Sequence, residues 1–200
     1  ILFKYLKPIT LVFHNITPAK FFLYSNPLVS LRSFLGQVQL KYFFNKSLQV
    51  ITVSHYNESI LKKYGYTSID VCSPVVNKLN MIEQYKKTEK QSIVYVGRIV
   101  ENKNTVQLLL QMIKVANSLE NGLDFYFVGR GHEGRKYLKN FQSIVDSIDK
   151  YNKLRLQIFA CIDSNKLEKI ISESWLYVTM SLHEGFGMPV CEAIAVNTPA

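Results

Sequence analysis

The stretch SIVYVGRIVENKNTVQLLLQMIK, residues 92–114, has the pattern of a strand, a polar loop and a helix in succession. Its first five residues are mostly apolar and β-branched, which favours a buried strand over 92–96. Apolar residues then recur at helical spacing, which predicts a helix over about 105–119. Repeated strand–helix units of this kind are typical of a parallel sheet with helices on its faces.

The same alternation recurs along the rest of the chain. Six more apolar, β-branched segments predict strands, and they lie at residues 9–13, 48–53, 69–72, 123–128, 154–159 and 176–179. Helical patterns fall over about 28–46, 54–64 and 165–172, with two more that end near Ile148 and begin at Met188. The helix over 28–46 is predicted from apolar residues at 31, 34, 35, 38 and 42, which recur at helical spacing. Ser54 is expected to cap the next helix and Gly65 to end it.

The chain is predicted to divide into two domains. Residues 74–91 are polar and charged without a stable period, which indicates a linker. We therefore expect the C-terminal part of one Rossmann-like domain over 1–75, an interdomain linker over 76–91 and a second Rossmann-like domain over 92–200. The fold class is α/β, with two doubly wound parallel sheets. Because neither end has the character of a natural terminus, we expect a fragment of a longer protein in which both domains are incomplete.

Charge is unevenly distributed along the 200 residues, whose formal net charge is +9. Residues 1–91 hold 12 Lys or Arg against 4 Asp or Glu, whereas residues 92–200 hold 12 against 11. Basic and aromatic side chains together in the first part favour peripheral contact with a membrane surface or an anionic partner. An ordinary lysine-rich surface over a normal core accounts for the same composition.

The composition excludes several classes of protein. Cys72, Cys161 and Cys191 form neither a C-x-x-C motif nor a disulfide framework, which favours a reduced, cytoplasmic setting. No apolar run approaches the roughly 18–20 residues of a membrane span. The sequence contains neither a Cys/His spacing nor a D-x-D motif of the kind that would indicate a bound metal.

In a parallel sheet, ligands bind at the carboxyl ends of the strands, so the loops that follow strands are the candidate sites. These loops lie at 14–18, 97–104, 129–134 and 181–187. In the second loop, the guanidinium of Arg98 can fork onto phosphate oxygens and Lys103 supplies a point charge, while the following helix start adds N–H donors. A diphosphate is the natural partner of such a loop, and a surface loop with solvated charges is the alternative.

The third loop contains GRGHEG, residues 129–134, a literal G-x-G-x-x-G between a strand and a helix. This pattern is the dinucleotide fingerprint of NAD-type oxidoreductases. The fingerprint belongs in the first strand–helix unit of its domain, with an acidic residue at the end of the next strand. Here it occupies the second unit after the linker, and Asp146 and Asp149 fall on or after a helix. An oxidoreductase is therefore the lesser alternative, although glycines that let a ligand approach the backbone fit either function.

The fourth loop leads into EGFGMPVCE, residues 184–192. The two glycines allow a sharp turn before a helix near whose start Pro189 is favoured. The amides of residues 186–188 then point out from the helix start, and Glu184 lies beside whatever they hold. Glu192 lies one turn into the helix. The spacing between Glu184 and Glu192 suits binding of sugar hydroxyls better than acid–base exchange between the two glutamates. A helix start with solvated acids is the alternative.

These motifs occur in one order, and the chain resembles the family 4 glycosyltransferases (glycosyl transferases group 1), the retaining nucleotide-sugar enzymes of GT-B fold. The resemblance covers nearly the whole chain. The matching segments are Phe13–Pro18, Val53-Ser54, Val96–Arg98 with Lys103, Val128–Gly131, and Glu184–Pro189 through Glu192–Ala195. The family usually carries glycine where this chain has Ala160 and Asn197, and the Pro-x-Gly turn of its hinge is here Pro74-Val75-Val76.

The resemblance implies a role for each matching residue of the second domain. Arg98 and Lys103 would bind the donor diphosphate and stabilise it as it leaves, and Gly97 would border them. Glu192 would hold the ribose. Gly129 and the stretch near Ile162 would border the nucleotide.

On the sugar side, the resemblance implies that Glu184 holds the donor sugar together with the amides of the turn Gly185-Phe186-Gly187-Met188. His14, at the end of a strand in the first domain, would face the donor sugar across the cleft, and a satisfied loop histidine is the alternative. The implied catalytic residues are thus His14, Arg98, Lys103 and Glu184. The other histidines, His55, His132 and His183, are expected to be surface or capping residues.

The resemblance implies a metal-independent hexosyltransferase that needs no cofactor and acts with retention. It would move a hexose such as mannose or glucose from a GDP- or UDP-sugar donor to a glycan or lipid-linked acceptor, in the synthesis of a cell-surface polysaccharide. Its partners would be that donor and acceptor, with no nucleic acid, and its setting cytoplasmic or peripheral at the inner face of the membrane. A non-catalytic nucleotide-sugar-binding or scaffold relative is the main alternative.

Overall fold

The computed structural model describes residues 9–44, 47–76, 86–131, 136–148 and 153–200. Its strands are β1 (Ile9–Phe13), β2 (Ser47–Thr52), β3 (Asp70–Val71), β4 (Ser92–Val96), β5 (Leu123–Val128), β6 (Leu154–Phe159) and β7 (Leu176–Tyr177). Its helices are α1 (Pro27–Phe44), α2 (His55–Lys63), α3 (Thr105–Ser118), α4 (Lys136–Ser147), α5 (Ser164–Glu173) and α6 (Met188–Ala195). Every strand pairing among these residues is parallel. The predicted α/β class with parallel sheets is confirmed.

The described chain divides into two compact units. The first comprises the described residues up to Val75 together with the loop His183–Gly187, and the second comprises the others. The domain boundaries drawn from the sequence stay a prediction, and the linker predicted over 76–91 falls mostly on 77–85, outside the described residues. The last part of that segment is hydrogen-bonded within the second unit, where the amide of Thr88 donates to the carbonyl of Glu173 at 3.0 Å.

The first unit contains a three-stranded sheet in the order β1-β2-β3. Phe13 lies opposite Thr52, whose buried hydroxyl donates to the carbonyl of Phe13 at 3.0 Å. Its buried core consists of Phe13, Leu40, Val50, Leu61 and Tyr66. The core thus joins the sheet to one side of each helix, α1 and α2.

Helix α2 begins and ends as its sequence predicts. Ser54 has an extended backbone and its hydroxyl accepts from the amide of Asn57, so it is the N-cap. Gly65 follows the C-cap residue Tyr64 with a φ of +99°, the left-handed conformation that glycine adopts without strain.

The helix predicted over 28–46 is present as α1, but most of the apolar residues that indicate it do not face the core. Leu31, Phe34, Leu35 and Val38 are all exposed, whereas Ser30 and Leu40 are the buried residues of this helix. Two small residues of α1, Ser30 and Gly36, allow other parts of the chain to approach the helix closely. The hydroxyl of Ser30 donates to the carbonyl of Ala19 at 2.9 Å, and a Cβ added to Gly36 would lie 3.3 Å from the Ile16 side chain.

The second unit contains a four-stranded sheet in the order β6-β5-β4-β7, with helices on both faces. Adjacent residues of a strand face opposite sides of a sheet, and here Tyr95 packs with α3 and α4 while Val94 packs with α5 and α6. The first side holds an aromatic core, in which the ring centroid of Phe127 lies 4.8 Å from Tyr95 and 5.0 Å from Phe141. The doubly wound arrangement predicted for this part of the chain is therefore present.

Three non-glycine residues among those described have positive φ, and all three are asparagines: Asn15 at +104°, Asn104 at +54° and Asn197 at +58°. Asparagine is the residue that best tolerates this region after glycine. Asn197 follows the end of α6, where its amide donates to the carbonyl of Ile194 at 3.1 Å. The φ of Asn197 is one that glycine also adopts without strain, so asparagine fits at a position where the resemblance implies glycine.

Candidate functional site

The parallel order of the second sheet places the carboxyl ends of β4, β5, β6 and β7 along one edge. The loops after neighbouring strands are joined there by hydrogen bonds. The amide of Gly97 donates to the carbonyl of Val128 at 2.9 Å, and the amide of Gly129 donates to the carbonyl of Phe159 at 2.8 Å. The predicted site residues Gly97 and Gly129 therefore lie side by side at this edge.

Gly129 is required by the packing of the protein itself. Its φ is +155°, and a Cβ at this position would collide with the carbonyl oxygen of Gly97. A Cβ on Gly131 would press on the side chain of Leu138. The first two glycines of GRGHEG thus have a structural reason that does not involve a dinucleotide, and residues 132–134 of the motif lie outside the described residues.

The loop between β4 and α3 presents Arg98 to solvent while its neighbours are buried. Ile99 and Val100 are 5% and 3% exposed, and the amide of Ile99 donates to the carbonyl of Arg130 at 3.1 Å. A single 3-10 turn over Glu101–Lys103 follows, in which Lys103 is half-buried. Because the apolar pair anchors the loop, Arg98 stands at a fixed place on the carboxyl edge of the sheet.

The loops after β4 and β7 are also connected, since the amide of Leu182 donates to the buried Asn102 carbonyl at 2.9 Å. β4 and β7 are neighbours, although β5 and β6 come between them in the sequence and lie on the other side of β4. Reversal of strand order of this kind opens a crevice at the carboxyl edge, where doubly wound proteins bind ligands. The cationic loop 97–104 borders that point.

The start of α3 contributes less to the site than the sequence suggests. The hydroxyl of Tyr137, from α4, accepts from the amide of Val106 at 3.1 Å and lies 3.5 Å from the hydroxyl of Thr105. One of the donors expected for a phosphate is therefore already used within the protein. Sequence spacing gives no sign of this cap, because Tyr137 lies on a different helix.

The remaining predicted residues of the second unit lie near α6 and the end of β6. Met188 is the first residue of α6, and Glu192 lies one turn further on. Ile162 is partly buried against the cluster that contains Val128 and Ala193. Burial raises the pKa of the half-buried Glu192 carboxyl above its ordinary value. Ionisation of the Glu192 carboxyl therefore lowers the stability of the folded state.

Replacing Glu192 by glutamine is expected to stabilise the protein at neutral pH and to remove part of its pH dependence. Because the native pKa is raised, the native state binds the proton more tightly than the unfolded state, so this contribution to stability is present at low pH and is lost as pH rises through the native pKa. Urea unfolding between about pH 4 and 8 measures the effect. The exposed Glu120→Gln is the control, and an identical pH dependence in Glu192→Gln and the wild type would contradict the assignment.

The first unit holds the loop His183–Gly187 against residues that follow β1 and β2. The Asn15 side-chain nitrogen donates to the carbonyl of Glu184 at 3.1 Å, and the Ser54 hydroxyl donates to the carbonyl of Gly185 at 2.8 Å. A Cβ on Gly185 would collide with the carbonyl oxygen of His14. Gly185 is therefore needed for close approach, whereas Gly187, with a φ of +89°, is the glycine that provides the turn.

Asn15 is the centre of a hydrogen-bond network that the sequence did not reveal. Its side-chain nitrogen also donates to Oδ1 of Asn57 at 2.8 Å, and its own Oδ1 accepts from the amide of Ile16 at 2.7 Å. Nε2 of His183 lies 3.1 Å from that same oxygen. The expectation that His183 is a surface or capping residue is wrong, since it is half-buried and bonded to Asn15, whereas His55 is exposed and pairs with Glu58 at the start of α2.

His14 is exposed and directly follows β1, so it lies at the carboxyl edge of the first sheet as expected. A cavity of about 310 Å³ opens beside the network in this unit. Polar and aromatic side chains line part of it, among them Asn15, Gln37, Tyr56, Lys63, Tyr64 and His183. Hydrogen-bonding groups next to aromatic rings suit a polar organic ligand of small size.

Replacing Asn15 by alanine is expected to destabilise the first unit by about 2–4 kcal/mol. The side-chain oxygen of the buried Asn57 loses the hydrogen bond that Asn15 donates, and alanine is strained at positive φ. Asn57 is fully buried, and among the described residues its side-chain nitrogen has no hydrogen-bond partner. Asn15→Gly separates the two causes, since it keeps the backbone conformation and removes only the side chain. The midpoint of urea unfolding measures both variants. A glycine variant as stable as the wild type would show that the network contributes nothing.

The sequence of the second unit matches that of a known protein family. Residues 77–200 match the sequence model of the family described as Glycosyl transferases group 1. The chain belongs to this family. The match begins within the predicted linker and continues to the last residue of the chain.

Similarity to individual members extends over both units of this group 1 glycosyltransferase chain. The chain is 28% identical over 196 residues to the O-antigen chain mannosyltransferase RfbU of Salmonella typhimurium strain LT2. The alignment covers 95% of this chain and 50% of RfbU. The chain therefore spans about half the length of the curated relative that it matches.

Two solved structures show the fold of the chain. Sucrose-phosphate synthase from Thermosynechococcus elongatus aligns with a TM-score of 0.69 at 19% identity, over 95% of this chain and 48% of that one. Anabaena HepE, in complex with UDP and glucose, aligns with a TM-score of 0.67 at 16% identity, over 96% and 52%. The predicted GT-B class is confirmed by these likenesses.

In this glycosyltransferase chain the predicted site residues are distributed over both units. The second unit holds seven of them at the carboxyl edge of its sheet or on α6, namely Gly97, Arg98, Lys103, Gly129, Ile162, Met188 and Glu192. The first unit holds the other five, namely His14, Glu184, Gly185, Phe186 and Gly187. The roles assigned to these residues stay predictions.

The described residues contain neither a candidate membrane span nor a candidate metal cluster. None of the helices in the described ranges combines the length and the apolar character that a membrane crossing requires. Within the same ranges, His, Cys, Asp and Glu side chains do not gather in groups of three that could hold a metal ion.

Proposed function

We propose that the full-length protein transfers a hexose from a nucleoside diphosphate sugar to a glycan or lipid-linked acceptor, with retention, in the synthesis of a cell-surface polysaccharide. The observation that carries this proposal is the exposed Arg98 on an anchored loop at the carboxyl edge of the second sheet, in a chain of the group 1 family. The name of the relative RfbU supports an O-antigen-like glycan and a mannose donor. We place the reaction in the cytoplasm.

The proposed donor is a GDP- or UDP-sugar. Mannose is favoured by the name of RfbU, and glucose with UDP is favoured by the ligands in the HepE structure. The sugar is activated by its diphosphate leaving group, so the reaction needs no further cofactor.

The proposed mechanism stabilises the leaving group. As the bond between the sugar and the diphosphate breaks, negative charge accumulates on the phosphate oxygens. The acceptor hydroxyl forms the new glycosidic bond on the same face and passes its proton to the departing diphosphate. Arg98 and Lys103 supply fixed positive charge to the departing diphosphate. Because these side chains provide the charge, the proposed mechanism includes no metal.

The other site residues are assigned to binding of the donor. Glu192, one turn into α6, accepts hydrogen bonds from the ribose hydroxyls, and Gly129 and Ile162 border the nucleotide. Glu184 and the amides of its turn bind the sugar hydroxyls. His14 contacts the donor sugar. The hydrogen bonds of Asn15 and Ser54 to the carbonyls of residues 184 and 185 fix the backbone that carries Glu184.

Binding and turnover of the full-length protein test this function together. We expect one nucleoside diphosphate among GDP, UDP and ADP to bind tightly and NAD not to bind. Glu184→Gln should lower turnover by about 10- to 150-fold, the worth of a hydrogen bond to a charged group, with a smaller loss of nucleotide affinity. Glu120→Gln, at an exposed site after α3, is the matched control.

Three results would count against this function. Equal losses of turnover and nucleotide affinity in Glu184→Gln would contradict a role on the sugar side. Binding of NAD alone would favour the oxidoreductase suggested by GRGHEG. Nucleotide-sugar binding with no transfer to any glycan or lipid-linked acceptor would favour a non-catalytic relative.

A further inference from the structure

The side chain of Asn15 uses its whole hydrogen-bonding capacity within the first unit. A side-chain amide has two N–H donors and an oxygen that accepts two hydrogen bonds. The donors are directed to Oδ1 of Asn57 at 2.8 Å and to the carbonyl of Glu184 at 3.1 Å. The oxygen accepts from the amide of Ile16 at 2.7 Å and lies 3.1 Å from Nε2 of His183. Asn15 is therefore the junction between the His183 ring and the backbone that carries Glu184.

Two backbone groups determine which atom of the Asn15 amide is the oxygen. The amide of Ile16 can only donate, so the atom that it contacts must be Oδ1. The carbonyl of Glu184 can only accept, so the atom that faces it must be the nitrogen. The main chain on both sides thus fixes the orientation of this amide.

The orientation of Asn15 in turn fixes the tautomer of His183. Nε2 of His183 faces an oxygen that has no hydrogen to donate, so Nε2 must carry the hydrogen of this bond. The ring is half-buried, and the rings of Phe21 and Tyr56 lie beside it with centroids at 6.2 and 6.3 Å. The packed ring therefore presents one N–H donor to Asn15 from a defined place.

A second side chain holds the same turn. The hydroxyl of Ser54 donates to the carbonyl of Gly185 at 2.8 Å and accepts from the amide of Asn57 at 3.2 Å. Asn57 is fully buried and also accepts from Asn15. The consecutive carbonyls of residues 184 and 185 are thus both held by side chains that contact the same buried residue.

We propose that His183, acting through Asn15, is a positioning residue for Glu184 in sugar transfer. Its Nε2–H holds Oδ1 of Asn15, and this keeps the amide nitrogen of Asn15 directed at the Glu184 carbonyl. Without that donor the Asn15 amide can rotate, and the Glu184 backbone loses one of its two restraints. A small displacement of a group that binds the reacting sugar lowers turnover. This role rests on the function proposed above and adds a residue that acts through another and not on the sugar itself.

Matched substitutions of His183 in the full-length protein test this role. His183→Phe keeps an aromatic ring and removes the donor, whereas His183→Gln places an amide N–H close to the position of Nε2. We expect kcat to fall about 2- to 12-fold in His183→Phe, the worth of one neutral hydrogen bond, and to recover in His183→Gln. Affinity for the nucleoside diphosphate should not change. His55→Phe, at an exposed histidine on α2, is the control and should keep the wild-type kcat.

Asn15→Asp tests whether His183 acts through Asn15. Aspartate keeps an acceptor for Ile16 and His183 but has no N–H for the Glu184 carbonyl. The amide of Asn57 can turn its nitrogen, which has no partner among the described residues, toward the new carboxylate, so we expect the variant to fold. Its kcat should be at least as low as that of His183→Phe. The double variant should be no slower than Asn15→Asp alone, because both changes break the same chain of hydrogen bonds.

The tautomer of His183 gives a readout that does not depend on turnover. Nitrogen-15 chemical shifts of the histidine rings, assigned with His183→Gln, should show hydrogen on Nε2 of His183 at neutral pH. A neutral ring with its hydrogen on Nδ1 would overturn the proposal.

Three kinetic results would also overturn it while the wild type transfers sugar. These are a wild-type kcat in His183→Phe, equal losses in His183→Phe and His183→Gln, and a double variant whose loss is the product of the two single losses. The second of them would assign the ring to packing alone. A wild-type protein that binds the nucleotide sugar and transfers nothing would overturn the proposed function and this role of His183 together.

Discussion

Replacing Gly129 by alanine is expected to lower the free energy of unfolding by about 2–5 kcal/mol, the sum of backbone strain and overpacking. The backbone of Gly129 lies at a φ of +155°, and a Cβ there would collide with the carbonyl oxygen of Gly97. Neither strand end can move away freely, because the amides of both glycines are bonded to the next strand. A loss of this size is a large part of the roughly 5–15 kcal/mol that stabilises a typical domain.

Gly131→Ala is the matched control for this experiment. A Cβ on Gly131 would meet the end of the flexible Leu138 side chain rather than a carbonyl group, so rotation of that side chain relieves the contact. We expect a loss below about 1.5 kcal/mol. Urea unfolding of both variants measures the difference. A Gly129→Ala variant as stable as the wild type would show that the close approach of the two strand ends does not require glycine at position 129.

Replacing Arg98 by alanine is expected to weaken binding of the nucleoside diphosphate to the full-length protein by about 10- to 150-fold, or 1.5–3 kcal/mol. The guanidinium can donate two hydrogen bonds to phosphate oxygens, and alanine leaves the negative charge of the phosphate without this partner. Because Arg98 is exposed, its removal should leave the unfolding midpoint unchanged. Lys103→Ala should weaken the same binding by a similar factor.

Arg155→Ala is the control for loss of one positive charge. Arg155 lies near the start of β6, away from the carboxyl edge, and pairs with Asp124. Calorimetric titration should therefore show an affinity close to that of the wild type. Unchanged affinity in both Arg98→Ala and Lys103→Ala would remove the diphosphate assignment from the 97–104 loop.

The strands and the sheet class followed closely from the sequence, because the strands are short runs of mostly apolar residues between polar loops. Strands β1, β4, β5 and β6 have the predicted bounds, and β7 is shorter than predicted by two residues. The side of α1 that faces the core could not be predicted from the sequence. Its pattern shows an apolar side, and Ser30 and Gly36 face the core because close packing against Ala19 and Ile16 needs small residues there.

The candidate site was predictable where it depends on strand ends and not where it depends on distant contacts. Arg98 lies at a carboxyl edge because it follows β4, which is a local property of the sequence. The bonds that fix the loop 183–187 join it to Asn15 and Ser54, which are 169 and 131 residues from their partners. No local pattern encodes such a pair, so the role of Asn15 and the burial of His183 became visible only in the fold.

The asparagines at positive φ have a consequence for the unfolded chain. Asn15, Asn104 and Asn197 occupy backbone positions where glycine is the usual residue. An asparagine explores fewer backbone conformations than glycine before folding, so less conformational entropy is lost when the turn forms. At these three turns the choice of asparagine over glycine therefore acts on the unfolded ensemble as well as on the contacts of the folded molecule.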